Sequence, residues 1–389
     1  MAFRSFPVLH DPNGSTDASA GLLPTLIGWC SVPQSDVTSD YCTVRRKDEL
    51  NGGLDDSGEP LLPENPRWHD NRLWFVDFLQ GSIFAVDADG SRLEMVLELE
   101  TDTPSGLGFL PDGSLLFVSA ADKKILRFVD GAISLHADLS AYPCDFLNDM
   151  FVDDHGRAYV GSRFHRMANP TVDAIDPMTP PESVILVHAD GAHEVAASNL
   201  VGPNGTAIAN DGSLIVAETH AHRLTAFDRD AEGRLVSRRV YADVSDAFPD
   251  GICIDFKDHV WIASPFTNDF RRISPGGAMA DRIVLDPVDG MPVACELGGN
   301  DNNSLFMLIA QPIDAGLPAG LGWPAPRPYP SSRAERMRAR RELRDECKAI
   351  GRIVVRNLDI GAAPQSEPKT GADSISRDDG LAGLPARSY

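Results

Sequence analysis

The chain has 389 residues, 42% of them hydrophobic and 24% charged, enough to bury a sizeable core as two ordinary domains or one large all-β domain. Its 57 acidic against 35 basic side chains leave a formal charge of −22 at pH 7, a field that repels phosphate backbones and anionic lipid and so argues against nucleic-acid or membrane partners. Six cysteines without CxxC spacing exclude a disulfide scaffold, a zinc ribbon and a dithiol redox motif. The opening MAFRSFPVLHDPNGSTD lacks the apolar core of a signal peptide, and no run approaches about eighteen apolar residues. A cytoplasmic protein is expected.

Residues 1–55 are rich in Ser, Asp, Gly and Pro without a sustained period and are expected to form an N-terminal extension, partly disordered. From there a single plan recurs, a polar turn followed by an apolar strand: HDNRLWFVD, PDGSLLFVS, DHGRAYVGS, NDGSLIVAE, KDHVWIAS and NDNNSLFML. Aligned on Trp74, Leu116, Tyr159, Ile215, Trp261 and Leu305, the copies are spaced by about 42, 43, 56, 46 and 44 residues, the interval expected of propeller blades. The long interval contains the Pro-rich MANPTVDAIDPMTPP (167–181), a loop insertion. Further strand-like runs lie between the cores, such as SIFAVDA, KILRFVD, RLTAFD and DRIVLD, so that four short strands per unit fit. The pattern predicts an all-β, six-bladed β-propeller over residues 56–360, whose radial closure leaves only short protected edges.

After the sixth copy comes the Pro-rich QPIDAGLPAGLGWPAPRPYP and then SSRAERMRARRELRDECKAI. The second run reads as a helix over 331–350 with a Ser N-cap and with Ala339, Leu343, Cys347 and Ile350 on one face. Residues 311–350 are therefore expected to be a Pro-rich and helical insertion. GRIVVRNLDI (351–360) then reads as an outer strand of the last blade, and 361–389 as a disordered tail.

Ten or eleven residues before the aligned strand positions stand Glu64, Ser105, Asn148, Asn204, Asp250 and Ala294. Asn or Asp at a turn is, taken singly, more often a turn former than a ligand. Several in register carry more weight, because equivalent positions in radially arranged blades lie at one height around the axis and converge on one end of the channel. Glu64, Asn148, Asn204 and Asp250 would supply hard oxygen donors with about two negative charges, suited to one divalent metal ion: Ca²⁺ first, with Mg²⁺, Mn²⁺ or Zn²⁺ as other occupants. No histidine shares this phase. His220 and His222 in ETHAHRLTAFD are expected to solvate a turn, and DADG and DRDAEG lack the full acidic spacing of calcium loops and read as hairpin turns. No GxSxG elbow, Walker loop, HExxH helix or GxGxxG turn occurs.

PENPRWHDNRLWFVD, FLNDMFVDDHGRAYVGS, GPNGTAIANDGSLIVAETHAHRLTAFD and PDGICIDFKDHVWIAS, in this order between residues 60 and 310, resemble the gluconolactonase, regucalcin (senescence marker protein) and luciferin-regenerating enzyme family. The resemblance implies a six-bladed propeller with one divalent metal in the channel, bound by Glu64, Asn148, Asn204 and Asp250, with Asp250 also moving the proton. It implies hydrolysis of a lactone, a small-molecule cyclic ester, with a metal-activated water and Asp250 as general base. Thr103, Ser105, Arg163 and His165 are the expected substrate contacts. Two departures stand out. Phe146 occupies a position where some sugar-lactone members carry Arg, which favours a less polar substrate, and Asn65 replaces the common Gly after the first Glu. The alternatives are an arylesterase or phosphotriesterase-type hydrolase on the same metal site, and a non-enzymatic calcium-binding propeller. A monomer or small homo-oligomer is expected.

Overall fold

The computed structural model describes residues 62–99, 102–164, 181–299, 302–313 and 348–358. The expected N-terminal extension, the 361–389 tail and nearly all of the 167–181 insertion fall outside these residues. Blade 1 consists of β1 (Pro63–His69), β2 (Arg72–Asp77), β3 (Ser82–Asp87) and β4 (Glu94–Glu98). Blade 2 consists of β5 (Pro104–Phe109), β6 (Leu115–Ser119), β7 (Lys124–Val129) and β8 (Ala132–Asp138). Blade 3 holds β9 (Phe146–Val152), β10 (Ala158–Arg163), β11 (Glu182–Val187) and β12 (His193–Leu200). Blade 4 holds β13 (Pro203–Ile208), β14 (Leu214–Glu218), β15 (Arg223–Arg229) and β16 (Leu235–Asp243). Blade 5 holds β17 (Ile252–Ile254), β18 (Val260–Ser264), β19 (Asp269–Ile273) and β20 (Met279–Val284). The sixth has three strands among the described residues, β21 (Met291–Gly298), β22 (Ser304–Ile313) and β23 (Lys348–Asn357).

Every blade is an antiparallel meander, and the first strands form its inner edge: β1 meets β5, β5 meets β9, and so on through β13, β17 and β21 back to β1. The ring is thereby closed. Its core is six separate apolar layers, one between each pair of neighbouring blades. Alternation along a strand divides its side chains between the two neighbours: in β14, Leu214 and Val216 pack toward blade 3 while Ile215 and Ala217 pack toward blade 5. Strands such as LLFVS, LIVAE and VWIAS are buried along their whole length, which is why they read as continuous apolar runs.

The hairpin joining the first two strands of each blade carries the repeat's turn chemistry. Three residues before each aligned position the backbone is left-handed, at Asn71, Gly113, Gly156, Gly212, Asp258 and Asn302, with φ between 53° and 84°. Only Gly, Asn and Asp occupy it, the residues for which a positive φ costs least. At the opposite end, buried carboxylates tie the chain down. Asp77 accepts the Leu79 and Gln80 amides, Glu182 those of Phe164 and Gly202, and Glu218 that of Val201 together with Arg223 and Arg238.

The helix expected over 331–350 is corrected at its end. Residues 348–350 belong to β23, where Lys348 to Ile350 pair with Ile313 to Gln311; residues 331–347 lie outside the described set. Pairing across a ten-residue ladder satisfies the backbone of Ala349 and Ile350 in the sheet, and this overrides a helical pattern in a short amphipathic run. The stretch 311–350 is thus bounded by strand on both sides rather than inserted as a whole.

Candidate functional site

Each donor position lies at or beside the entry of an inner strand. Pro63, Pro104 and Pro203 are the first residues of β1, β5 and β13, where the missing amide costs no ladder bond. Bulges follow at once: register shifts between Glu64 and Arg67, between Pro104 and Leu107, and between Pro203 and Thr206. A bulge re-aims the residues beside it, and here it frees Glu64 and Asn204 from strict alternation into the interblade layers.

Three of the four proposed ligands are joined in a chain that crosses three blades. Asn148 Nδ2 donates to Asn204 Oδ1 at 3.1 Å, and Asn204 Nδ2 donates to Asp250 Oδ1. Glu64 belongs to the same electrostatic group. Burial raises its carboxyl well above the ordinary range, and the charges of Asp250 and Asp149 raise it further. Asp250 is pushed up to about 8 by burial and by Asp149, with Arg163 and the Asn204 amide pulling the other way. Carboxylates held in a desolvated hub with too little positive charge face two remedies, protonation or a cation. The donors are two carboxylates and two carboxamides; among the described residues no group of three or more His, Cys, Asp or Glu is arranged to hold a metal. The hard-oxygen chemistry of this set fits Ca²⁺ or Mg²⁺ better than Zn²⁺.

The other two in-phase residues act differently. Ser105 Oγ lies 2.9 Å from Leu147 O and 3.2 Å from Asn148 O, donating to the strand that carries Asn148. Ala294 is fully buried against Gly251, where a Cβ would lie 2.5 Å from the Ala294 Cβ. Thr103 is buried, and its carbonyl accepts the Ala120 amide at 2.9 Å. Arg163 ends β10 with Nε 3.5 Å from the buried Glu182 and Nη2 3.5 Å from His220 Nε2; its charge acts on both Asp250 and Asp149. His165 lies outside the described residues. The histidine pair does more than solvate a turn: both rings are half-buried, His222 Nδ1 lies 2.7 Å from Ala247 O and its ring packs edge-on against Phe248.

Sequence reasoning missed a second tier of charge. Asp149, next to Asn148, is buried and pushed up to about 6 by burial, held there against the pull of Arg67, Asn65 and Arg163. Glu296, two residues beyond Ala294, is pushed up to about 7 by burial and pairs with Arg67 at 3.7 Å. The guanidinium of Arg67 also donates to the Met150 carbonyl and lies 5.4 Å from the Phe151 ring centre. The available signal was charge inside inner strands that otherwise bury nearly everything, as in PENPRW, NDMF and ACELG.

Asn65 has φ 45°, and its Oδ1 accepts the Leu107 amide at 2.7 Å. The residue thus keeps the left-handed backbone that Gly would supply and uses its side chain to tie β1 to β5.

The sequence profile of the SMP-30/Gluconolactonase/LRE-like region matches residues 62–311. Regucalcin of Danio rerio is 24% identical over 277 residues, covering 69% of this chain and 85% of that protein; regucalcin of Sus scrofa is 27% identical over 288 residues, covering 69% and 93%. Among solved structures, a luciferin-regenerating enzyme superposes with a TM-score of 0.58 at 17% identity, covering 77% of this chain and 94% of that one. A gluconolactonase from Xanthomonas campestris gives 0.53 at 24% identity, covering 64% and 83%; these two likenesses concern the fold. A closed six-bladed ring with donors at the inner-strand entries, matched by that profile over more than half its length, belongs to the SMP-30/gluconolactonase/LRE-like family.

Proposed function

We propose that the chain is a lactonase-type hydrolase that depends on one divalent cation. Support comes from the hydrogen-bonded chain Asn148–Asn204–Asp250 at the hub, with Glu64 in the same charge group. A calcium-binding regucalcin from Agrobacterium tumefaciens and the Xanthomonas gluconolactonase share the fold. Glu64, Asn148, Asn204 and Asp250 would hold the ion, which when bound supplies a Lewis acid for the ester carbonyl.

Asp250 takes the proton of the attacking water as its oxygen adds to the carbonyl carbon. The ring acyl–oxygen bond then breaks as Asp250 returns that proton to the leaving oxygen, giving the hydroxy acid and restoring the carboxylate. Arg163 supplies a fixed positive charge that acts on Asp250. It opposes the rise of the Asp250 carboxyl and can stabilise negative charge growing on the substrate. Phe146, two residues before Asn148 on β9, favours a substrate less polar than a sugar lactone. Aryl esters belong to the same panel for that reason.

Asp250→Asn tests the assignment. Turnover should fall by about 10²–10⁴-fold, while cation affinity, followed by calorimetry, falls far less. Equal loss of both refutes a separate base role. A wild type without turnover of any lactone or aryl ester, with each divalent cation restored after chelation, leaves the non-enzymatic reading.

A further inference from the structure

A buried hydroxyl in blade 4 sits where two of the four donors meet. Thr219 follows Glu218 in a single 3-10 turn over Thr219–Ala221 and is 6% exposed. Its Oγ1 donates to the Pro249 carbonyl at 2.8 Å, and Asn204 Nδ2 lies 3.2 Å from the same Oγ1. A hydroxyl has one hydrogen and two lone pairs. With that hydrogen committed to Pro249, the oxygen can only accept.

This decides which end of the Asn204 carboxamide faces which way. An amide offers a donor nitrogen and an acceptor oxygen, and a half-turn about its terminal torsion exchanges them at little steric cost. Oxygen against the lone pairs of Thr219 would be repelled, so the nitrogen must lie there. Both amide hydrogens are then used, one on Thr219 and one on Asp250. Oδ1, the atom able to ligate a cation, is left on the side of Asn148, which donates to it.

The repeat itself does not require this hydroxyl. The backbone bond from Thr219 N to Gly202 O, at 2.9 Å, recurs as Phe78 N to Leu62 O and as Ala120 N to Thr103 O, so Phe78 and Ala120 are the structural equivalents. Those side chains carry no polar atom; of these three described equivalents, Thr219 alone carries a hydroxyl against a proposed ligand.

We propose that Thr219 is a positioning residue for the cation site, holding the Asn204 carboxamide with its oxygen toward the hub. The inference rests on Asn204 being a ligand. Calorimetric titration with Ca²⁺ and with Mn²⁺ gives the readout, independent of turnover. Thr219→Val, which keeps the shape and loses the hydroxyl, should weaken cation binding about tenfold, and Thr219→Ser should bind within about threefold of wild type. In an Asn204→Asp background the ligand has two equivalent oxygens, so adding Thr219→Val should change affinity by less than about twofold.

Wild-type affinity in Thr219→Val overturns the inference. So does an undiminished tenfold loss in the Asn204→Asp background, because Thr219 would then be acting through the Pro249 carbonyl. Should Thr219→Val fail to fold, Thr219→Ala against Thr219→Ser makes the same comparison. A folded wild type that takes up neither cation overturns the ligand assignment itself, an outcome separate from the others.

Discussion

Glu296 shows how one side chain sets a cost for the whole ring. Burial moves its carboxyl from the ordinary 4.5 up to about 7, against the pull of Arg67. A group that binds its proton more tightly when folded favours folding in acid. That contribution is complete below about pH 4.5 and is lost as pH rises through about 7. At about 1.4 kcal/mol per unit, the loss in the cation-free protein is on the order of 3–4 kcal/mol. Glu296→Gln should therefore raise urea stability at about pH 8 by roughly 3 kcal/mol and change it little at about pH 4.5. Equal effects at both pH values would show that the substitution acts through packing instead. Reading by donor phase passes over Glu296 and Asp149, because neither shares that phase. Their convergence on Arg67 and the hub comes from bulges and from the meeting of blades 1, 3 and 6.

At the scale of the strand and its turn, two glycines separate two kinds of constraint. Gly113 sits in the recurrent hairpin at φ 83°, with open space where a Cβ would project. Gly205 follows Asn204 on β13 with no left-handed backbone, yet a Cβ there would lie 2.5 Å from the Ile252 amide and 2.6 Å from the Asp250 carbonyl. Gly113→Ala should cost about 1–2 kcal/mol, all of it backbone strain, and leave cation binding intact. Gly205→Ala must push blade 5 away from blade 4 at Asp250. It should cost about 2–4 kcal/mol and weaken cation binding as well. Denaturant unfolding and calorimetry of the two variants give the comparison; unchanged cation affinity in Gly205→Ala would contradict the close approach. The turn was legible because Asp-Asn and Asp-Gly turn chemistry is local. The interblade contact was not, since nothing in PNG names the neighbour that PDG will become.

For the ring as a whole, the described ends of the off-repeat segments point the same way. β10 ends and β11 begins beside the Asn148 end of blade 3, and β22 passes Met291 to reach Ile313 beyond the Ala294 level. The chain likewise enters blade 1 at Leu62, just before Glu64. The described residues that flank 1–61, 165–180 and 314–347 therefore all lie at the donor end of the ring. β23 gives the ring its other dependence on distant residues. Ile353 and Val355 pack in the layer between blades 6 and 1, and Val354 in the layer between blades 5 and 6. A chain ending at Ile313 loses these from two of the six layers, at about 1.5–3 kcal/mol for each buried aliphatic side chain. It should lose cooperative thermal unfolding followed by circular dichroism. A single sharp transition at the wild-type temperature would show that β23 is dispensable.

The number of blades, their period, the polar turn before each apolar strand and the four in-phase oxygen-bearing residues follow from the sequence by itself, since each rests on local spacing and turn chemistry repeated around the ring. Only the tertiary structure decided that Asn148, Asn204 and Asp250 touch, that Ser105 bonds a backbone instead, that Asp149, Arg67 and Glu296 crowd the same hub, and that residues 348–350 extend a strand. Those outcomes depend on the face a bulge presents and on which inner strand lies alongside, and both arise when the ring closes and brings together residues far apart in the chain.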